Sequence, residues 1–582
     1  MDRNKLKYFS RILKVVIILT SFIGISSIIL EYGFRVKATE AHLLHYISIG
    51  VVIIFFLYHI IQFSIAEDRQ DYLRSHKIES LFLVLIIVEV ILANFNFSLV
   101  AQLGVVFHLK DVTFLYVMFA QMIIVIGLIL GGLRYNRSIL QSKIHPSRLF
   151  VLSFIVTIVI GALLLMLPAS TVEGSINVVD AFFTSTSAVC VTGLITVDTA
   201  TYFTMFGKTV ILGLFQIGGL GLMTFTTFFA LFLAGGMGIR ERIMLHDLLD
   251  EENLGAIAKV LSFLTLTTFT IELIGAALLF SSVYSGYANP LEAVFPSIFH
   301  SISAFCNAGF SVFSNNLMDS TVQSNYTYTT VIALLIILGG IGFPTIISFS
   351  KLNRSSARKF KLPLQSRIVV LVTLGLIFVG TVGVYLFEYN HSLSGLDTFG
   401  KLHGAFFQSV TARTAGFNTV NIGLFSTPTT LLFLLLMFIG ASPGGTGGGL
   451  KTTTFALIFF AIVSTLREEK NVVIGNRTIS RDVVLRALLK AFISICIIST
   501  GIFLLTLTEK TKLIDLSFEA FSAFGTVGLS RGITSGLSQW GKVIIILLMF
   551  IGRVGPLAFI FSILKTKKPA GYEYPSENIS IL

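Results

Sequence analysis

The stretch 179-VDAFFTSTSAVCVTGLIT-196 decides the architecture, because the chain writes it four times. Its counterparts are 293-AVFPSIFHSISAFCNAGFSV-312, 402-LHGAFFQSVTARTAGFNT-419 and 515-DLSFEAFSAFGTVGLSRG-532. Each is short, rich in Phe, Ser and Thr, and carries a glycine near its end. These glycines, Gly193, Gly309, Gly416 and Gly528, are 116, 107 and 112 residues apart. Each stretch lies between two longer apolar runs. The second run of each pair holds its own glycine cluster, 24 to 30 residues further on: 216-QIGGLGL-222, 338-LGGIGFP-344, 439-IGASPGGTGGG-449 and 551-IGRVGPL-557. Four matches in register make an internal repeat. Its units span about 145–245, 255–352, 364–466 and 481–566, with a tail at 567–582.

Composition says what solvent surrounds these repeats. Of 582 residues, 54% are apolar and 12% charged, against about 25% charged in a soluble domain. That excludes a soluble enzyme and a disordered chain, and predicts an all-α polytopic membrane protein of about twelve spans. Cys190, Cys306 and Cys496 make neither a disulfide framework nor a metal spacing. The net charge is +12, but thirty of the 42 Lys and Arg fall in seven segments, at 3–14, 69–77, 134–148, 240–259, 351–367, 467–490 and 565–568. These sit at alternate ends of the apolar runs, which marks a cytoplasmic face with both termini inside and argues against nucleic acid.

Each short stretch is too short to cross ~30 Å of hydrocarbon. It predicts a re-entrant loop in which a short helix enters and extended backbone leads out. Irregular backbone at membrane depth survives only when buried in protein or lining water. Four such loops around one axis would direct carbonyls into a shared pathway, as a cation selectivity filter does. The candidate ion sites are Val191, Thr192, Gly193; Asn307, Ala308, Gly309; Thr414, Ala415, Gly416; and Thr526, Val527, Gly528. Glycine suits such backbone because a β-carbon forbids it. Close helix packing leaves the preceding Ser and Thr without a role, and is a far better account of the glycines in the following runs.

The third repeat departs from the others. In Ser442, Pro443, Gly444, Gly445, Thr446, Gly447, Gly448 and Gly449, six of eight residues are Pro or Gly, which breaks a helix. Leu450 spoils the spacing for a phosphate loop, so the segment reads as an intramembrane gate that swings more easily than any other second span. Lys451 either adds electrostatic closure or snorkels to solvent. Arg553 interrupts the last span where charge is costly; it either faces the pathway and slows cations or forms a buried ion pair. Arg413, three residues before Gly416, has the same two readings. Cys190 and Cys306 occupy equivalent positions and read as space-fillers. No His, Asp or Glu cluster or nucleophile–base pair supports an enzyme.

Ahead of the repeats stand four apolar runs, at roughly 12–30, 43–64, 79–97 and 112–132. The first is not a cleaved signal peptide, and none has the arginine ladder of a voltage sensor. Glu89, midway along the third, is either functional or a protonated packing group.

On these residues the chain resembles the Trk/Ktr/HKT superfamily of potassium transporters, closest to the membrane subunit of bacterial Ktr-type systems. The resemblance rests on the four loops with 145-HPSRLFVLSF-154, 189-VCVTGLITVDT-199, 411-TARTAGFNT-419, 523-AFGTVGLSRG-532 and 573-EYPSENISI-581, and covers about 145–580. It implies four M1–pore-loop–M2 repeats in pseudo-fourfold arrangement and potassium uptake, with potassium as substrate at the filter residues and no cofactor in this chain. It also implies a homodimer in the inner cell membrane, regulated by a separate cytoplasmic nucleotide-binding ring. The sodium-preferring plant relatives often carry serine in the first loop, so Gly193 implies preference for potassium. Residues 1–140 are a departure of unassigned role. The competing expectation is a proton- or sodium-coupled secondary transporter, built from inverted repeats.

Overall fold

The computed structural model describes residues 38–65, 146–221, 257–352, 362–469 and 471–563, with scattered positions between 16 and 34. Glu89, the runs at 79–97 and 112–132, and the tail from 567 lie outside the described residues. Of the leading block, a helix α1 (Ala38–Ile65) is described.

The repeat unit is a long helix, a short helix, a loop and a second apolar helix. The first unit has α2 (Pro146–Leu165), α3 (Val178–Val189) and α4 (Met205–Gly219). The second has α5 (Ile257–Val283), α6 (Val294–Phe305), α7 (Tyr326–Ile341) and α8 (Phe343–Leu352). The third has α9 (Leu364–Glu388), α10 (Thr398–Thr411), α11 (Thr427–Phe438) and α12 (Thr452–Leu466). The fourth has α13 (Arg481–Thr508), α14 (Leu513–Gly525), α15 (Gln539–Val554) and α16 (Pro556–Ile563). At 1.5 Å per residue the short helices α3, α6, α10 and α14 reach about 18–21 Å, roughly two thirds of the ~30 Å hydrocarbon core.

Two features differ from the sequence reading. The chain is not wholly helical: β1 (Val472–Ile474) and β2 (Arg477–Ile479) pair antiparallel between the third and fourth units. Gly475 and Asn476 both take positive φ, 54° and 68°, as the tight turn of a two-residue hairpin requires. The third unit is also not alone in having a broken second helix. α7 and α8 meet at 100°, and α15 and α16 at 98°. The breaks fall at Gly342 and Gly555, with φ of 90° and 89°, just before Pro344 and Pro556. Proline cannot continue the preceding helix, and glycine absorbs the turn.

Among the described residues, three helices are long and apolar enough to cross a membrane, or up to five if each bent pair counts as one. Their outer faces expose large apolar side chains, such as Leu266 and Leu273 on α5, Leu371 and Phe378 on α9, and Phe492 and Phe503 on α13. Beside an apolar core, the interior holds the polar side chains: Ser185, Ser187, Ser303, Gln408, Thr411 and Ser522 are all fully buried. An exposed apolar shell with polar groups turned inward is what a lipid solvent selects.

The short helices are fastened to the long ones by a repeated device. Ser185 donates to Ile158 O (2.7 Å), Ser301 to Glu272 O (2.6 Å) and Ser409 to Ile377 O (2.8 Å). Three residues beyond each acceptor stands a glycine, Gly161, Gly275 or Gly380, where a β-carbon would strike that serine's oxygen. The fourth unit has Ala520 in the serine's register, and at Gly501 a β-carbon would meet Leu548 instead. Replacing Gly161 by alanine puts Cβ 2.5 Å from Ser185 Oγ and 2.7 Å from Leu214. Overpacking of this kind costs about 1–3 kcal/mol, so the variant should unfold at lower temperature in detergent. Ser185→Ala, which forfeits one hydrogen bond worth about 1 kcal/mol, should lower it less.

Candidate functional site

Each short helix ends where its loop begins, and the loop is shaped by a fixed alternation. The residue two before each key glycine is left-handed: Val191 (φ 56°), Asn307 (59°), Thr414 (68°) and Thr526 (50°). The glycines follow at 93°, 70°, 77° and 91° for Gly193, Gly309, Gly416 and Gly528. The intervening Thr192, Ala308, Ala415 and Val527 keep negative φ. A left-handed non-glycine residue costs about 1–2 kcal/mol, so its recurrence in all four loops needs an imposed constraint. The short helix supplies it. Thr192 N–H donates to Ser187 O, Ala308 N–H to Ser303 O, Ala415 N–H to Thr411 O and Val527 N–H to Ser522 O, at 2.7–3.0 Å. The same hydroxyl residues grip the loop again through their side chains. Ser187 Oγ accepts from Gly193 N–H (3.0 Å) and Ser522 Oγ from Gly528 N–H (3.1 Å). Ser303 donates to Phe310 O (2.8 Å) and Thr411 to Phe417 O (2.6 Å).

The four loops close into a ring. A β-carbon on Gly193 would sit 2.6 Å from Ala308 O; on Gly309, 2.6 Å from Ala415 O; on Gly416, 2.7 Å from Val527 O; on Gly528, against Thr192 O. Each glycine thus faces the carbonyl before the next unit's glycine, in cyclic order first, second, third, fourth, first. The twelve residues singled out in the sequence are brought together, and Thr192, Asn307, Thr414 and Thr526 are fully buried.

Around the ring each unit's second helix locks onto the next unit. Gln216 Nε2 reaches both carboxylate oxygens of Glu272 at 3.1 Å. Tyr326 donates to Asp397 (3.2 Å) and Thr330 meets His403 (3.0 Å). Arg531, paired with Asp515 at 2.6 Å, also donates to Thr430 (2.8 Å) on α11. Lys542 pairs with Asp180 at 2.6 Å, joining the fourth unit to the first.

The segment Ser442–Gly449 lies against the end of the ring nearest the breaks in the second helices. Gly448 N–H donates to Thr526 Oγ1 (3.0 Å), and a β-carbon on Gly447 would strike Thr414 Oγ1. Thr446 Oγ1 donates to Phe305 O at the end of α6 (3.2 Å). Ser442 and Thr446 donate through their backbone to Gly340 O (3.0 Å) and Gly339 O (3.2 Å). Gly444 O accepts from Phe343 N–H (3.1 Å), Gly445 N–H turns back to Ser442 O (3.0 Å), and Pro443 O abuts Gly342. Gly444 and Gly449 are left-handed, at 70° and 68°. The segment is glycine-rich because its backbone runs within contact of three other backbones, a role beyond the conformational freedom that its composition suggested.

Arg553 ties this segment down. Its guanidinium donates to Thr446 O and, on the other side, to Gly218 O of α4. Among the described residues it has no carboxylate partner, so the ion-pair reading is replaced by a carbonyl clasp. Lys451 does not snorkel: its ammonium donates to Gly447 O at 2.7 Å. Arg413 has no ion-pair partner among the described residues. It is buried beside Ile336, Ile337, Gly340, Ile377 and Val410, and among the described residues its Nε finds no partner. Cys306 fills space against Gly219 and lies 3.5 Å from Gln216 Oε1. The glycines of the second helices do allow close packing: β-carbons at Gly218, Gly339 and Gly552 would strike Val189 O, Phe305 O and Phe524 O. Sequence reasoning missed the gripping hydroxyls Ser187, Ser303, Thr411 and Ser522, whose signal was the Ser/Thr richness just before each glycine.

Known transport proteins are similar to this chain in sequence and in fold. A family model described as "TrkH: Cation transport protein" matches residues 115–570. The Ktr system potassium uptake protein B of Bacillus subtilis (strain 168) is 41% identical over 450 residues, which cover 77% of this chain and 99% of that protein. Its namesake in Vibrio alginolyticus is 38% identical over 442 residues, 75% of this chain and 95% of that protein. The potassium transporter TrkH from Vibrio parahaemolyticus shares the fold, with a TM-score of 0.58, 17% identity, and coverage of 83% and 95%. By its sequence match and its fold, the chain belongs to the TrkH family of cation transport proteins, which are multi-pass membrane transporters.

Proposed function

We propose that this chain is the membrane subunit of a potassium-uptake system, conducting potassium through the ring of Thr192, Ala308, Ala415 and Val527 carbonyls and their neighbours. The observation that carries the reading is the ring itself. Four left-handed loops set backbone oxygens side by side around one axis, as replacement of an ion's hydration shell requires. The names of the relatives above add weight. In the proposal the protein sits in the cell membrane with both termini cytoplasmic, forms a homodimer, and answers to a separate nucleotide-binding ring. A second reading, coupling to sodium, draws on the Potassium/sodium uptake protein NtpJ of Enterococcus hirae, which is 35% identical over 452 residues.

The test is cation flux into liposomes holding the purified protein. Potassium flux should exceed sodium flux, and potassium uptake should proceed without a sodium gradient. Equal fluxes of the two ions would overturn the selectivity. Uptake that required sodium would favour the coupled transporter.

A further inference from the structure

In the register set by the hydroxyls that grip the loops, Thr184, His300, Gln408 and Glu519 occupy one position, three residues before Ser187, Ser303, Thr411 and Ser522. All four are buried, none more than 1% exposed. Three of them reach past the loop glycine to a hydroxyl on the strand that leaves the ring. His300 Nε2 meets Ser311 Oγ at 2.8 Å, and Gln408 Nε2 donates to Thr419 Oγ1 at 3.1 Å. Glu519 makes the fullest set: Ser530 Oγ donates to one carboxyl oxygen at 2.8 Å, and Thr534 Oγ1 to the other. Counted from the loop glycines, the first unit has Ile195 in the register of Ser311 and Ser530 and Thr196 in that of Thr419. Neither Thr184 Oγ1 nor Thr196 Oγ1 finds a partner among the described residues. The ring is therefore braced from behind on three sides and unbraced on the fourth.

We propose that Glu519 is a positioning residue for ion selection, which holds the outer end of the fourth loop through Ser530 and Thr534 so that the carbonyls of Thr526 and Val527 stay at ion-binding distance. The inference rests on the reading of the ring as an ion filter. A carboxyl group accepts two hydroxyls at once, which neither alanine nor a neutral aliphatic side chain can do. Ser530 in turn accepts from Gly532 N–H at 3.0 Å, where Gly532 is left-handed at φ 94°. The brace thus fixes both the loop and the turn that follows it. The ion-paired Arg531 and Asp515 flank the brace and fasten it to the third unit, so the strand has little other freedom.

The experiment compares potassium-to-sodium flux ratios in liposomes for wild type, Glu519→Ala, Glu519→Gln, Ser530→Ala and the double variant Glu519→Ala/Ser530→Ala. Loss of the two hydrogen bonds to the carboxyl group predicts a ratio about tenfold lower in Glu519→Ala. Glutamine keeps one acceptor oxygen and should restore most of the ratio. The double variant should be no worse than Glu519→Ala alone, because both changes sever one link. If Glu519→Ala fails to fold, Glu519→Gln and Ser530→Ala still decide, since Ser530→Ala must then lower the ratio more than Glu519→Gln. A wild-type ratio in Glu519→Ala or in Ser530→Ala, or additive losses in the double variant, would overturn the brace. An unselective wild type would instead overturn the filter reading beneath it.

Discussion

Gly193→Ser should lose most of the discrimination between potassium and sodium. At φ 93° the residue sits where L side chains rarely go, and its β-carbon would lie 2.6 Å from Ala308 O and 3.1 Å from Gly309 Cα. Neither neighbour is a flexible side chain. The backbone strain and the overpacking together cost roughly 2–5 kcal/mol, at least about 30-fold in an equilibrium. The chain relieves that cost only by shifting the strand, and the ring opens at the junction of the first and second units. Flux ratios in liposomes check it, with Gly213→Ala as the control, since nothing lies within 4 Å of a β-carbon there. A Gly193→Ser protein as selective as wild type would remove the ring from the mechanism.

The second large effect concerns the clasp beneath the ring. Arg553→Gln removes the charge from two hydrogen bonds, to Thr446 O and Gly218 O. Charged donors contribute about 1.5–3 kcal/mol per bond, so if the segment is a two-state gate held shut by Arg553, as we propose, it shifts toward open by tenfold or more at about 1.4 kcal/mol per decade. Flux without any regulatory partner should rise accordingly, and the flux ratio should stay near wild type, because Ser187, Ser303, Thr411 and Ser522 still hold the four loops. Excising Pro443–Thr446 should act in the same direction. Lower flux in both variants, with the protein folded, would make the segment a scaffold instead of a gate.

Much of this arrangement was legible in the sequence because its parts are local. A half-length polar stretch between apolar runs can only re-enter, and a backbone with positive φ asks for glycine at a set distance from the helix end; both demands recur four times in the chain. The helix breaks before Pro344 and Pro556 were local too, but the glycines there were read as packing surfaces; the turn at Gly475 and Asn476 was equally local, in a segment read only for its basic charge. The cyclic order of the loops was not legible. It depends on which carbonyl each glycine meets, and those partners lie on other units more than a hundred residues away. The same holds for Arg553. Sequence alone placed a costly cation in a span, and left two readings for it, a charge facing the pathway or a buried ion pair. Only the tertiary structure brought two backbone carbonyls, from α4 and from the Ser442–Gly449 segment, within reach of one planar guanidinium, because packing the units together brings the end of α4 and the backbone of that segment to the same side chain.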